Sequence, residues 1–385
     1  MKICGIICEF NPFHNGHAYI LEEARRLSGC DALVCIMSGS FTQRGDICIV
    51  DKYLRATHAV KGGADCVIEL PAAFAVAPAE IFASGAVKIL SSIPDLDTLA
   101  FGCESGSDSD FISAAKLLLT ESDAFKSALR RKLDEGESYI KSYAFAFESV
   151  GGNAELLSKP NNTLGVEYAK AVLRNGKAVR LLPVKRVGSG YNDGELKENF
   201  SSASAIRNNL SSHLIKSNMP DYSINDLTDF SDENERFYSF MRLILSRSSP
   251  EKLTQVYGCT DGLENSLKNQ QDLPFDEIVR SATSKRFTTS RIKRILCANF
   301  LDLYRSDCEK FLNTDLYLSP LAVNKKSADK VLSAIAKSAY PVLTCGSDKM
   351  KLNEIAKACK EKDDFAYMQW QQIVGKNLKS KMLSV

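Results

Sequence analysis

Residues 3–17 read Ile3-Cys4-Gly5-Ile6-Ile7-Cys8-Glu9-Phe10-Asn11-Pro12-Phe13-His14-Asn15-Gly16-His17, an apolar run followed by two of the chain's four histidines. The apolar run from Ile3 to Phe10 predicts a buried strand of a parallel sheet. Asn11-Pro12 ends that strand, because proline disfavours continuation. From His17 onward the apolar residues recur at helical spacing, which predicts an amphipathic helix. The stretch therefore predicts the first strand and helix of an open α/β sheet.

The two histidines, His14 and His17, stand at the predicted junction between strand and helix. Open α/β sheets bind ligands at this edge, and the N–H groups of a helix N-terminus attract phosphate. Imidazoles there can donate hydrogen bonds as charge develops on a departing pyrophosphate, and Gly16 would let a nucleotide approach the backbone. The alternatives are a helix cap or a surface position. Zinc is disfavoured, because only His58 and His213 remain and no Cys-x-x-Cys accompanies them.

A second motif lies at residues 201–207, which read Ser-Ser-Ala-Ser-Ala-Ile-Arg. Hydroxyl groups that begin a helix cap its N–H groups, and Arg207, one turn later, can reach a triphosphate. The alternative is an ordinary serine cap with a solvated arginine. Paired with the histidine motif, this segment resembles the second signature of the HIGH-type nucleotidyltransferase superfamily, Ser-Ser/Thr-x-Ile-Arg. Ala203 stands where that signature has its first serine, and members of the superfamily transfer a nucleotidyl group from ATP with release of pyrophosphate.

A narrower resemblance rests on four stretches of the chain: Gly5–His17, Met37–Asp46, Asp51–Ala56 and Ile68–Pro71. They are similar to the bacterial tRNA(Met) cytidine acetate ligase family, through most of the first 210 residues and more loosely beyond. Family members join acetate to ATP, forming acetyl-adenylate, and pass the acetyl group to N4 of the wobble cytidine of elongator tRNA(Met). The resemblance implies the same ATP-dependent ligase activity here, with Mg²⁺ accompanying the phosphates of ATP.

The resemblance also implies a set of site residues. Catalytic roles are expected for His14, His17, Arg44 and Arg207. The residues expected to bind ATP are Ile7, Cys8, Glu9, Phe10, Asn11, Pro12, Phe13, His14, Asn15, Gly16, His17, Ala18, Tyr19, Ile20, Gly102, Asn161, Asn162, Arg186, Val187, Ser202, Ser204 and Arg207. There are structural alternatives for some of these residues: Gly102 could be an ordinary turn glycine, the asparagine pair a helix cap, and Arg44 a surface residue.

Strand and helix patterns alternate through the first half of the chain. Further strands are expected at Ala32–Met37, Cys66–Leu70, Thr98–Phe101 and Val179–Val184, and a helix at Leu164–Leu173. This order predicts an α/β fold whose first domain, residues 1–215, is a Rossmann-like parallel-sheet nucleotidyltransferase domain. Pro220–Glu233 is polar and acidic and is interpreted as a linker. Helical patterns then dominate, with one strand expected at Pro341–Cys345, so residues 220–385 are predicted to be a mainly helical, tRNA-binding domain.

A basic segment within the second half supports contact with RNA. Between Arg280 and Arg294 the chain has six basic residues and no acidic one, with an aromatic residue among them. Such a segment can neutralise RNA phosphates while the aromatic ring stacks on a base; the alternative is a solvated helix face. The residues expected to bind RNA are Arg280, Lys285, Arg286, Phe287, Arg291, Lys293 and Arg294.

Composition narrows the class of protein but not its reaction. The 385 residues are 44% hydrophobic, enough for two or three ordinary cores, and the net charge of +2 says little about nucleic acid. No apolar run reaches about eighteen residues, so no membrane-spanning helix is expected. Twelve cysteines in so long a chain are too dilute for a disulfide scaffold. Reduced core cysteines and the absence of a signal peptide predict a cytoplasmic protein.

Three other functions fit parts of the sequence. A small-molecule adenylyltransferase, acting on a nucleotide or a carboxylate, could use the same signatures, but a minimal domain of that kind would end near Arg207. A class I tRNA synthetase relative is disfavoured, because Lys379-Ser380-Lys381-Met382, which resembles the second synthetase signature, lies at the extreme C-terminus. A nucleotide-sensing RNA-binding module would bind ATP without releasing pyrophosphate.

Overall fold

The computed structural model describes residues 1–187, 196, 198–227, 230–378 and 381–385. Its central feature is a seven-stranded sheet with the order β5-β4-β1-β2-β3-β6-β7. The strands are β1 (Ile3–Cys8), β2 (Ala32–Ser38), β3 (Cys66–Leu70), β4 (Leu96–Cys103), β5 (Arg180–Lys185), β6 (Pro320–Val323) and β7 (Leu383–Ser384).

Helices of the first half pack on the strands of this sheet or on one another. They are α1 (Asn15–Ser28), α2 (Lys52–Lys61), α3 (Ala72–Ala75), α4 (Ala79–Ser91), α5 (Asp108–Thr120), α6 (Asp123–Asp134), α7 (Tyr139–Ser149), α8 (Ala154–Leu157), α9 (Pro160–Asn175) and α10 (Ala203–Asn208).

The second half is mainly helical. Its α-helices are α11 (Ile215–Asn218), α12 (Asp221–Ile224), α13 (Ser231–Arg247), α14 (Pro250–Thr254), α15 (Leu263–Asn269), α16 (Phe275–Ala282), α17 (Thr289–Phe300), α18 (Arg305–Leu312), α19 (Ala328–Ile335) and α20 (Glu354–Val374), and a 3₁₀-helix covers Gly346–Lys351. No helix within the described ranges is long and apolar enough to cross a membrane.

Strand pairing brings the predicted motifs to one edge of the sheet. β1 pairs in parallel with both β2 and β4, β2 with β3, and β4 with β5, so their carboxyl ends point the same way. β2 lies on one side of β1 and β4 lies on the other, so the strand order reverses at β1. A crevice opens at the carboxyl ends of the strands where such a reversal occurs. The predicted fold class, a parallel α/β sheet followed by a mainly helical region, is confirmed.

The second half also contributes strands to this sheet. β6 pairs antiparallel with β3, and β7 pairs in parallel with β6. The strand expected at Pro341–Cys345 was wrong, because only Val342 forms an isolated bridge there, to Leu318. Pro320 concealed β6 in the sequence, since proline in an apolar run argues against a strand. The division at residues 215–220 stays a prediction, and residues on both sides of it share the sheet.

The segment interpreted as a linker, Pro220–Glu233, is instead ordered structure in its described part, which excludes residues 228 and 229. It contains α12 and the first turn of α13, and Phe230 is buried. Oδ2 of Asp226 lies 2.7 Å from Nε2 of His58, a buried residue of α2. At least one of the acidic residues that suggested a solvated linker, Asp226, therefore contacts a helix of the first half.

The long C-terminal helix α20 fastens the second half to the loops of the first. The Asp363 carboxylate accepts the backbone N–H of Ala72 over 2.8 Å. The Tyr367 hydroxyl donates to Asp51 over 2.8 Å, and the Trp370 indole donates to the Cys48 carbonyl over 2.7 Å. Buried polar contacts of this kind need exact pairing, so they fix α20 in one place beside the loop that follows β2.

Candidate functional site

The loop between β1 and α1 is anchored to the loop that follows β2. The Asn11 side chain donates to the Ile47 carbonyl over 3.2 Å and accepts the Ile49 N–H over 2.9 Å. Because Asn11 is buried, these two bonds satisfy both ends of its amide. The histidine motif that follows is thereby held against the neighbouring strand end.

His14 and His17 form a reciprocal cap at the start of α1. His14 Nδ1 accepts the Gly16 N–H over 3.0 Å, and His17 Nδ1 accepts the His14 N–H over 3.3 Å. Because each Nδ1 accepts a backbone proton, a neutral ring must carry its own proton on Nε2. The rings stack with centroids 3.7 Å apart. Both rings line the cavity at this strand edge, so the cap and the predicted ligand contact coexist.

Burial and neighbouring charges keep both imidazoles neutral. Burial, followed by the charges of Arg186 and Arg207, lowers the pKa of His14 to about 3. Burial, followed by the charge of His14 and then of Arg186, lowers the pKa of His17 well below its ordinary value. The pair therefore presents neutral N–H donors at physiological pH, which suits hydrogen bonding to phosphoryl oxygens.

Arg207 closes the cavity from the second motif. Its Nη1 donates to the Asn11 carbonyl over 2.6 Å, and its Nη2 donates to the Ser204 hydroxyl over 3.3 Å. Asp46 lies 3.8 Å from the same guanidinium. Ser202 is the N-cap of α10, where its hydroxyl accepts the Ala205 N–H over 3.1 Å. The second motif thus begins a helix, as the sequence predicts, and turns its arginine toward the first.

Most of the residues expected to be catalytic or to bind ATP line one cavity. Those that line it are Ile7, Cys8, Glu9, Phe10, Asn11, His14, His17, Ile20, Arg44, Gly102, Asn161, Arg186, Ser202, Ser204 and Arg207. Those that do not are Pro12, Phe13, Asn15, Gly16, Ala18, Tyr19, Asn162 and Val187. Val187 is 48% exposed, and residues 188–190, which follow it in the chain, lie outside the described residues.

Gly16 and Gly102, two of the residues expected to bind ATP, lie close to side chains. A Cβ on Gly16 would lie 2.9 Å from Cε1 of His14, so the absence of a side chain there leaves room for the imidazole ring. A Cβ on Gly102 would lie 3.1 Å from the Ile20 side chain and 3.5 Å from that of Arg186. Gly102 therefore keeps the floor of the cavity open between β1 and β5.

The asparagine pair divides into two roles. The helix begins at Pro160 rather than at Leu164, so both residues lie in the first turn of α9. The buried Asn162 accepts the Glu104 N–H over 2.9 Å and donates to the Ser105 hydroxyl over 3.0 Å, which holds the loop after β4. Asn161 donates to the Glu104 carboxylate over 2.5 Å and lines the cavity. Asn161 is the member of the pair that is placed to meet a ligand.

Several lining residues carry no role in the sequence analysis: Ile6, Thr42, Gln43, Asp46, Phe82, Phe101, Leu164, Tyr168 and Ala203. Leu164 is three residues after Asn161, and Tyr168 is four residues after Leu164. This spacing places all three on one helix face. That periodicity was a usable signal. The aromatic residues of β4 and α4 gave none, because a buried ring looks the same in a core and in a pocket wall.

Arg55 explains part of the Asp51–Ala56 stretch. It is fully buried, and its guanidinium donates to the carbonyls of Glu9, Ser38 and Gly39, at the ends of β1 and β2. Its Nε donates to the Val50 carbonyl over 3.0 Å. One side chain therefore binds together the two strand ends that carry the histidine loop and Arg44.

The basic segment separates into half-buried and exposed parts. Lys293 lies 3.0 Å from Asp46, and Arg294 donates to the Gln43 carbonyl over 3.3 Å, so both support the loop after β2. Arg291 donates twice to the Gly258 carbonyl, over 2.9 and 2.7 Å. The side chains of all three residues are half-buried. They remain only a prediction as RNA ligands, and their basic groups already have protein partners.

The exposed part comprises Arg280, Lys285 and Arg286. Lys285 and Arg286 line a surface groove together with Phe287 and Tyr139. Tyr139 begins α7, is 53% exposed, and stacks on Tyr143 with ring centroids 5.6 Å apart. Cations beside accessible aromatic rings are the combination that single-stranded RNA binds.

Comparison with known proteins identifies the family to which the chain belongs. The family model described as HIGH Nucleotidyl Transferase matches residues 1–382. The tRNA(Met) cytidine acetate ligase of Acetivibrio thermocellus is 35% identical over 380 residues, 93% of this chain and 90% of that protein. The protein of the same name from Clostridium novyi is 37% identical over 326 residues, 80% of this chain and 81% of its own length.

Two solved structures share the whole fold. Thermotoga maritima TmcAL in its apo form superposes with a TM-score of 0.91, at 27% identity and with complete coverage of both chains. The same protein bound with alpha-thio ATP gives a TM-score of 0.88, again at 27% identity and complete coverage. The family match, the similarity along the chain and the shared fold agree. The chain therefore belongs to the HIGH nucleotidyl transferases and, within them, to the tRNA(Met) cytidine acetate ligase family.

Proposed function

We propose that this protein is an ATP-dependent ligase that activates acetate as acetyl-adenylate and transfers the acetyl group to N4 of the wobble cytidine of elongator tRNA(Met). The observation that carries the proposal is the cavity at the β1 and β4 strand ends. It combines two neutral imidazole donors at a helix N-terminus with Arg44, Arg186 and Arg207. The tRNA acceptor in this proposal is taken from the names of the relatives, and the activation of acetate by ATP is supported by the residues of the cavity.

In the proposed complex ATP lies across the strand ends. His14 and His17 donate from Nε2 to phosphoryl oxygens, and Arg207 reaches the same phosphates from α10. The acetate carboxylate attacks the α-phosphorus in line, the bond to the bridging oxygen breaks, and pyrophosphate leaves. No protein nucleophile is needed, because positioning and stabilisation of the developing charge supply the rate. Arg44 is a cation placed to hold the acetate or the α-phosphate.

We propose that Mg²⁺ is carried by the phosphates, where it neutralises charge on the departing pyrophosphate. The carboxylates that line the cavity have other partners: Asp46 pairs with Lys293 and Arg207, and one oxygen of Glu9 accepts a backbone N–H. No group of three or more potential metal ligands occurs among the residues that the structure describes. The protein's share in binding the ion therefore comes through the phosphates it holds.

The tRNA is proposed to contact the groove formed by Lys285, Arg286, Phe287 and Tyr139. The two cations there are exposed and can neutralise phosphates, while the rings offer stacking surfaces. A wobble base in an anticodon loop is lightly stacked, which lowers the cost of moving it into the cavity.

The proposal is tested by incubating purified protein with ATP, Mg²⁺, ¹⁴C-acetate and total bacterial tRNA, and measuring label in the RNA. Label that requires ATP, and that is lost in His17→Ala while the circular dichroism spectrum is unchanged, is the expected result. Glu22→Ala, an exposed change on the same helix, is the matched control and should label RNA normally. Pyrophosphate release with another carboxylate or a nucleotide, but no label in RNA, would assign the protein to the small-molecule adenylyltransferases instead.

A further inference from the structure

The transfer step requires a proton acceptor. When the N4 amine attacks the acetyl carbonyl, a C–N bond forms, the nitrogen must lose one proton, and AMP leaves with the electrons of the C–O bond. AMP departs as a phosphate anion, so it needs no proton. A positioned base commonly accelerates such a step by about 10²- to 10⁴-fold. The question is which group of this cavity can accept the proton.

Most of the titratable groups in the cavity are unsuited to this task. His14 and His17 accept backbone N–H groups at Nδ1, so their other ring nitrogens already carry protons. Burial, followed by a hydrogen bond from Cys35, raises the pKa of the Cys8 thiol well above its ordinary value, so it stays protonated. Asp46 is neutralised by Lys293 at 3.0 Å and Arg207 at 3.8 Å.

Glu9 differs from all of these. It follows the last residue of β1, lines the cavity, and accepts the Gln43 N–H at Oε1 over 2.6 Å. Among the described residues its Oε2 has no hydrogen-bond partner and its carboxylate forms no ion pair. One oxygen is thus fixed by the loop after β2, and the side chain lines the cavity in which acetyl-adenylate would form.

We propose that Glu9 is the proton acceptor for the transfer step, an inference that rests on the proposed function. The Glu9 carboxylate takes the N4 proton as the C–N bond forms, and the resulting carboxylic acid later releases that proton to water. Nothing else is consumed, since the acetyl group, the electron pair and the proton all come from the two substrates.

The electrostatics of the cavity favour this role. Burial raises the pKa of the Glu9 carboxyl above its ordinary value, against the lowering effects of the Gln43 N–H, of Arg207 and of Arg44. The nearby Asp46 charge raises the pKa further. A carboxylate with a raised pKa is a stronger base toward the proton of the attacking amine.

The test separates the two half-reactions in Glu9→Gln, whose side-chain oxygen can still accept the Gln43 N–H. Acetate-dependent exchange of pyrophosphate into ATP reports acetyl-adenylate formation. Transfer from synthetic acetyl-adenylate to tRNA reports the second step alone. We expect transfer to fall by about 10²-fold or more, and by at least about tenfold more than exchange falls. The wild-type transfer rate should rise with pH through the pKa of Glu9, and this acid limb should vanish in the variant.

Glu9→Asp keeps a base at shorter reach and should retain the acid limb with a partly reduced rate. Equal loss of exchange and transfer in Glu9→Gln would overturn the proposal, because it would mean that Glu9 only positions the loop after β2. Unchanged transfer in Glu9→Gln would overturn it as well. Absence of transfer by the wild-type protein would instead refute the proposed function, which keeps the two failures distinct.

Discussion

Gly16→Ala tests whether the position of the His14 ring controls the chemistry. The new Cβ would lie 2.9 Å from Cε1 and 3.1 Å from Nδ1 of that ring. Carbon atoms in contact sit about 3.5 to 4.0 Å apart, so the ring must move by roughly 0.6 Å or rotate. It has little freedom to do so, because it is 3% exposed and stacked on His17 at 3.7 Å.

The expected effects on stability and on activity differ. Weakening the cap costs about 1 kcal/mol, and replacing glycine by alanine in a helix returns up to about 1 kcal/mol. The free energy of unfolding should therefore change little. A displacement of this size at a catalytic donor can cost about 10²-fold in rate.

Two assays on the Gly16→Ala variant follow from this contrast. Urea denaturation measures the free energy of unfolding, and acetate-dependent pyrophosphate exchange measures the first half-reaction. Glu22→Ala, exposed on the same helix, is the control and should leave both unchanged. An exchange rate equal to wild type in Gly16→Ala would refute the reasoning that the capped ring position sets the phosphate contact.

Three further predictions concern separate parts of the molecule. Lys285→Glu should weaken tRNA binding and reduce by about 1 the slope of log affinity against log salt concentration, without affecting pyrophosphate exchange. Lys326→Glu, an exposed change beyond β6, is the control and should leave tRNA binding unchanged. Filter binding at several salt concentrations measures both variants. Because the folded-state pKa of His14 is lowered from 6.5 to about 3, the unfolded chain takes up a proton first as pH falls below 6.5. About 3 kcal/mol of stability should be lost between pH 6.5 and 4, and a His14→Asn variant that loses just as much in urea titrations would contradict this. Asn161→Ala should raise the Kd for ATP with little change in stability, whereas Asn162→Ala should lower stability by about 1 to 3 kcal/mol, and calorimetry with thermal unfolding separates the two.

The strands of the first half could be predicted because each is a short apolar run ended by glycine, proline or a polar loop. β1 and α1 follow directly from residues 3–17. Asp51 is a residue type that favours the start of a helix, and its carboxylate caps α2 by accepting the Tyr53 N–H over 2.8 Å. β6 could not be predicted in the same way. It is four residues long, begins at Pro320, and gains its partners from β3, about 250 residues earlier in the chain.

The candidate site was predictable where residue type alone implies chemistry. The histidine pair stands at the start of α1, and Arg207 follows the serines that begin α10 by one turn, so both motifs were visible as polar groups beside a predicted helix N-terminus. Arg55 could not be assigned, because a buried arginine acquires its purpose only from carbonyls brought to it by two strand ends. Lys293 was assigned to RNA on charge alone, and the sequence does not show that Asp46, far away in the chain, lies 3.0 Å from it.

The most direct test of the account analyses the nucleosides of a tRNA(Met) transcript after reaction with purified protein, ATP and acetate. The account predicts N4-acetylcytidine at the wobble position, formed only with ATP, and absent when that cytidine is replaced by uridine. Release of pyrophosphate and AMP without N4-acetylcytidine in the wild-type transcript would contradict it.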